Sequence, residues 1–236
     1  MSNAPAVTYY VVLKKQRPDV GSAVRPISRL LQEDEEVVRA KLLTPCFEVL
    51  RRFAKRSNAD GLKGQLNSLG VETFIVSDQE IRGHLIIYAA TASSGGGGMA
   101  LRDFGDKPLY CPHDDIAEIA VLNVDTEDGK QTTLIDLVRK STTITPRLDS
   151  SLFDFPQMLS SPGAGVEQFL RHLEAKTSLP VNRLFATHRD NLVALSRDFA
   201  TSPSQVEPPP AMQVSPYDQR QLRAANLYSF LLNNKA

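Results

Sequence analysis

An α+β fold of two small domains follows from three features of the 236-residue sequence. Residues 7–78 open with the order strand, helix, helix, strand, helix, strand. Residues 81–199 then hold a series of β-prone runs closed by an amphipathic helix. The third feature is Pro108 to Asp125, PLYCPHDDIAEIAVLNVD, the longest near-continuous apolar run outside any helical pattern. Bounded by Pro108 and the turn signal Glu127-Asp128-Gly129, it reads as one buried strand of an antiparallel sheet.

Taken in order, Tyr9-Tyr10-Val11-Val12-Leu13 is a β-prone run closed by Lys14-Lys15, and Pro18-Asp19 is a helix-start signal. Val20, Val24, Ile27 and Leu31 recur at helical spacing, and a second helix from Glu33 to Leu42 stops before Pro45. Phe47, Val49 and Arg51 alternate with Glu48, Leu50 and Arg52, which predicts a second strand, with a helix over Phe47 to Lys55 as the alternative. Ser57 is the expected N-cap of the next helix, with Asp60 approximating a capping box. Leu62, Leu66 and Leu69 form its stripe and Gly70 ends it. Val71 to Val76 alternates as a strand, and the pattern breaks between Asp78 and Gly83, placing a domain boundary near Glu80.

The second half begins with the β-rich run His84 to Ala92. Ser93-Ser94-Gly95-Gly96-Gly97-Gly98 follows; a phosphate-cradling loop would need a helix after it, and Met99 to Arg102 looks like a strand, so a hairpin connection is expected. After the central run, Thr132 to Val138 and Lys140 to Leu148 are further β-prone segments, with Phe153 and Phe155 plugging the core. Pro162-Gly163 breaks the chain before the helical stripe Val166, Phe169, Leu170 and Leu173, and Leu192, Val193 and Leu195 supply a short final element. Residues 200–236 change character. Ser202-Pro203-Ser204 and Pro208-Pro209-Pro210 mark a linker, Ser215-Pro216-Tyr217-Asp218 reads as a helix start, and Leu222, Ala225, Tyr228 and Leu232 trace one face of a terminal helix.

Lysine plus arginine and aspartate plus glutamate are 27 each, so no bulk field draws in nucleic acid or a membrane surface. Cys46 and Cys111 fall on opposite sides of the boundary and suggest neither a disulfide framework nor a zinc ribbon, making a reducing cytoplasm the expected compartment. The opening MSNAPAVTYY lacks the basic flank and apolar core of a signal peptide, residues 1–6 read as a disordered leader, and no window reaches the length of a membrane span.

Three constellations carry the functional expectations. Cys111, His113, Asp114 and Asp115 are all types that ligate metals, yet the spacing and the lack of a second cluster favour a structural cysteine and a turn histidine. The four histidines at 84, 113, 172 and 188 sit in no catalytic signature, so neither enzyme activity nor a cofactor nor a metal is expected. Arg51, Arg52, Lys55, Arg56 and Lys63, with Phe53 among them, are the candidate anion-binding run, weighed against a solvated face. The terminal helix is the candidate partner-binding element: the proline linker offers Leu222, Leu227, Tyr228, Leu231 and Leu232 to a partner groove, and packing on its own domain is the alternative.

The order of elements over residues 7–77, with YYVVLKK opening it and LKGQLNSLGVETFIV closing it, resembles the C-terminal domain of the bacterial ribosomal stalk protein and the related adaptor that delivers substrates to the Clp protease. That resemblance implies a small α/β sandwich that docks on other proteins. Where the stalk domain carries a glycine- and lysine-rich factor-binding segment, this chain reads Leu31-Gln32-Glu33-Asp34-Glu35-Glu36, so factor binding is not carried over. Residues 84–178, with PHDDIAEIAV among them, resemble a bacterial pleckstrin-homology-like module, which implies an antiparallel β module capped by a helix. The expected function is a non-enzymatic scaffold, adaptor or accessory subunit with protein partners. The alternatives are a peripheral binder of lipid or phosphate ligands and an unrecognised metal-dependent or cysteine enzyme.

Overall fold

A computed structural model describes residues 7–14, 21–44, 46–153, 155, 165–206, 208 and 216–234, and in it two sheets flank a pair of helices. The smaller sheet has β1 (Tyr9–Leu13) at its centre, with β2 (Glu48–Phe53) and β3 (Thr73–Ser77) antiparallel on either side. Side chains alternate across a strand, so β1 feeds two cores. Val11 and Leu13 face α1 (Val24–Leu31), α2 (Glu35–Leu43) and α3 (Arg56–Ser68), where Ile27, Leu31, Val38, Leu42, Leu62 and Leu66 close an outer core. Tyr10 and Val12 face the other way.

These elements follow the expected order, with local differences. Helix α3 begins at Arg56 after Lys55 and has no side-chain cap, so Ser57 lies within its first turn. Gly70, at φ +79°, supplies the left-handed residue that ends the segment. The break near Glu80 is itself a short helix, α4 (Asp78–Gly83), held by a capping box in which the Glu80 amide donates to Ser77 Oγ at 3.2 Å and the Ser77 amide donates to Glu80 Oε2 at 2.7 Å.

The larger sheet contains β4 (Leu85–Ser94), β5 (Gly98–Asp103), β6 (Pro108–Pro112), β7 (Ile116–Asp125), β8 (Gln131–Arg139), β9 (Ile144–Asp149), β10 (Val181–Asn182) and β11 (Ser204–Val206). Its order is β10-β7-β8-β9-β4-β5-β6, with β11 on β4. It is mixed rather than antiparallel throughout: β9 and β11 both run parallel to β4, and β10 runs parallel to β7. Parallel neighbours need long connections, which the intervening hairpins and helices provide.

The run Pro108 to Asp125 is two strands rather than one. A single 3₁₀ turn, His113–Asp115, divides it after Pro112, where the Asp115 carboxylate accepts Arg139 Nε at 2.7 Å and the Ser141 amide at 2.9 Å. The expected hairpin joins β4 to β5, with the Gly95 amide donating to the Gly98 carbonyl at 2.9 Å. Leu192, Val193 and Leu195 belong to a 13-residue helix, α6 (Leu184–Ser196), and part of the expected linker is strand β11. Alpha-helix α5 (Val166–Thr177), with Phe153 and Phe155, covers Ile119, Val121, Ile135, Leu137 and Leu148 on the outer face of the large sheet. Readings that rest on residues 1–6, Pro18-Asp19, Val20, Pro45, Pro162-Gly163, Pro209, Pro210 and Ser215 lie outside the described residues.

The terminal helix α7 (Gln219–Asn234) takes the second of its two expected settings, against its own chain rather than a partner. Asp218 caps it, its Oδ1 accepting the Arg220 and Gln221 amides at 2.8 and 3.1 Å. Leu222, Leu227, Tyr228, Leu231 and Leu232, expected to meet a partner, are at most 2% exposed. They pack in one apolar cluster with α6, with Tyr10, Val12, Phe47, Val49, Phe74 and Val76 of the small sheet's side, and with Ile86, Tyr88, Leu122, Leu134 and Val138 of the large sheet. A helix buried around its whole circumference belongs to the interior, and both sheets find their inner faces covered through it. No helix among the described residues is long and apolar enough to cross a membrane.

Candidate functional site

Polar side chains concentrate first in the interior, between α7 and the large sheet. Arg147 on β9 is fully buried and forks onto Asp136 of β8, Nε and Nη2 each 2.6 Å from a carboxylate oxygen. Its Nη1 donates to Asn226 Oδ1 of α7 at 2.6 Å, and Ser229 of the same helix donates to Asp136. Burial would lower the Arg147 pKa, but Asp136 beside it more than offsets that and raises it. Every strong donor in the set has an acceptor, so the group fixes α7 to the sheet and leaves no atom poised for chemistry.

His84 lies beside this network at zero exposure, its Nε2 3.1 Å from Thr145 Oγ1, its Nδ1 without a partner and its ring edge-on to Phe230 at 5.5 Å. Burial is the main cause of a pKa lowered to about 4, so the ring is neutral near pH 7. Both thiols are buried, and desolvation pushes Cys46 and Cys111 up to about 11. Neither is a thiolate nucleophile at neutral pH.

The candidate metal cluster disperses. Cys111 and His113 point inward, Asp115 is held by Arg139 and Ser141, and the Asp114 carbonyl accepts Lys140 Nζ at 2.7 Å. Among the described residues no three His, Cys, Asp or Glu side chains come together in a metal-holding group. The candidate anion-binding run is divided too. On β2, Arg52 pairs in register with Tyr10 and Arg51 with Val11, so the two guanidinium groups leave opposite faces of the small sheet. Arg52 then pairs with Asp198 at 2.7 Å, while Lys55, Arg56 and Lys63 belong to the start and body of α3, where Arg56 stands 3.9 Å from Asp60.

A cleft of about 650 Å³ opens at the junction of the two sheets. Lys14 and Phe47 come from the small sheet's side, Glu118 from β7, Asn182 and Leu184 from β10 and the start of α6, and Tyr228 from α7. Its floor is a hydrogen-bonded file: Tyr228 donates to Asn182 Oδ1 at 3.1 Å, the Leu184 amide donates to the same oxygen at 2.9 Å, and Asn182 Nδ2 donates to Glu118. The volume is in the range of about 300–1,000 Å³ typical of binding sites, and a mostly apolar wall with a few ordered polar groups is their usual chemistry. Sequence reasoning named Tyr228 for another role and missed Asn182, which sits in a two-residue strand that no local pattern announces. Charges inside apolar strands, as at Asp136 and Arg147, were the available signal for the interior network. No family model matches the chain, and neither curated proteins nor solved structures give a match.

Proposed function

We propose that the chain is a non-enzymatic protein-interaction module, a scaffold, adaptor or accessory subunit, which receives a segment of its partner in the cleft between the two sheets. The cleft carries this reading: it is open, its walls come from three separate parts of the fold, and its polar floor is already ordered before anything binds. The buried thiols and the neutral His84 argue against nucleophilic chemistry. The resemblance of residues 7–77 to docking domains agrees with it. The test places a photo-activated cross-linking side chain at Thr187 on the cleft wall, with the same group at exposed Tyr110 as reference. Illumination in native extract is expected to yield discrete adducts from position 187 only; the same adducts from both positions, or none from 187, would remove the cleft from the function.

A further inference from the structure

The glycine hairpin between β4 and β5 meets α5 at a group of polar side chains that the interaction reading does not use. Ser94 Oγ stands 2.8 Å from His172 Nε2 of α5, and the His113 amide donates to the Gly97 carbonyl at 3.1 Å, which fixes His113 against the hairpin. The His113 side chain is 7% exposed and its Nε2 has no partner. Burial lowers its pKa, and His172 and Lys176 lower it further, outweighing Asp114, the acid that acts the other way. Gly95, Gly96 and Gly97 are exposed, and without Cβ atoms they leave the main chain open to close approach. The Tyr110 hydroxyl lies above them, 3.4 Å from where a Cβ on Gly97 would stand.

We propose that the hairpin and the facing turn of α5 form a binding site for a phosphate-type oxyanion, held by the Ser94 hydroxyl, the His113 imidazole and the Lys176 ammonium, with His172 Nε2 donating to Ser94 Oγ and so turning the hydroxyl hydrogen towards the ligand. The sign of the surroundings selects an anion over a metal cation, because Lys176 would repel the latter. A neutral imidazole with its hydrogen on Nε2 is a buried donor lacking an acceptor, and a ligand oxygen supplies one. The ester chemistry is the same for a soluble phosphomonoester and for a phosphorylated lipid headgroup.

The experiment titrates the full chain with inorganic phosphate and glycerol 3-phosphate by calorimetry, and with phosphatidylcholine vesicles doped with phosphatidylinositol phosphate by flotation. Ser94→Ala, His172→Gln and Lys176→Gln, checked for an unchanged melting temperature, are each expected to weaken binding about tenfold, the scale of one lost hydrogen bond to a charged group. Lys63→Gln, in the basic run on α3, is expected to leave it unchanged. Binding of glycerol 3-phosphate without vesicles identifies a soluble ester, and binding of both identifies a headgroup. No binding of either, equal binding by Lys176→Gln and the unchanged chain, or loss with Lys63→Gln instead would overturn the site.

Discussion

Arg147 shows how much of this molecule depends on single residues. Its guanidinium is enclosed, so the Asp136 carboxylate must remain opposite it. Asp136→Ala strands a buried charge and is expected to cost about 3–5 kcal/mol in urea unfolding, whereas replacing both partners with leucine should cost much less than the sum of the single changes. His84 gives the pH dependence. Its pKa is about 4 when folded against an ordinary value of 6.5, so as pH falls from 6.5 the unfolded chain takes up a proton that the folded chain refuses. Stability is therefore complete above pH 6.5 and declines by about 3 kcal/mol towards pH 4, and His84→Leu should flatten the unfolding free energy across that window. The alternation of apolar residues announced that these strands were buried, but not which charges would pair, since Asp136 and Arg147 meet only through sheet pairing.

Among the elements, the hairpin and the terminal helix are the most exposed to a single change. A Cβ on Gly98 would stand 2.7 Å from the Cys111 carbonyl oxygen and 2.8 Å from Pro112 Cα, both backbone atoms. Gly98→Ala should force β5 and β6 apart and cost about 1–3 kcal/mol, read as a lower melting temperature. Asp218→Ala removes the cap of α7 and should cost about 1 kcal/mol by the same measurement. Most strands were legible because period-two alternation is a local property, and the α1, α3 and α5 stripes were legible for the equivalent reason. Helix α7 was recognised as a helix, but the sequence left open whether it meets a partner or its own chain: the choice depends on Asn226 and Ser229, whose acceptor and donor roles are set by the buried Arg147 and Asp136 opposite. The run from Pro108 was misjudged because apolar character continues through a turn whose cause is a carboxylate, Asp115, bonded to residues more than 20 positions away.

At the scale of the whole molecule, the sequence divides the chain near residue 80, while the interior runs across that line. The Tyr10 ring packs at a tilt against Phe199 with centroids 4.7 Å apart and its hydroxyl donates to Asp78 at 2.8 Å, and Phe47 meets Tyr228 with centroids 6.0 Å apart. Fragments 7–78 and 81–199 are accordingly expected to lack a cooperative thermal transition when expressed alone, and the chain ending at Phe199 likewise. Circular dichroism melts would show it, and a sharp transition in 7–78 would mean that the outer core under α1 to α3 suffices. The cleft was invisible to sequence reasoning for the same cause: Lys14, Asn182 and Tyr228 are separated by more than 40 residues in each interval and converge only when both sheets are in place.

Helix α7 leaves the ribosome after every strand it covers. Until it arrives, α6 alone lies between the two sheets and much of their inner surface stays uncovered, so synthesis passes through an interval of half-finished, adhesive chain. Cells making this protein quickly would need holding chaperones during that interval, and slowed translation of the stretch before α7 would lengthen the danger rather than relieve it.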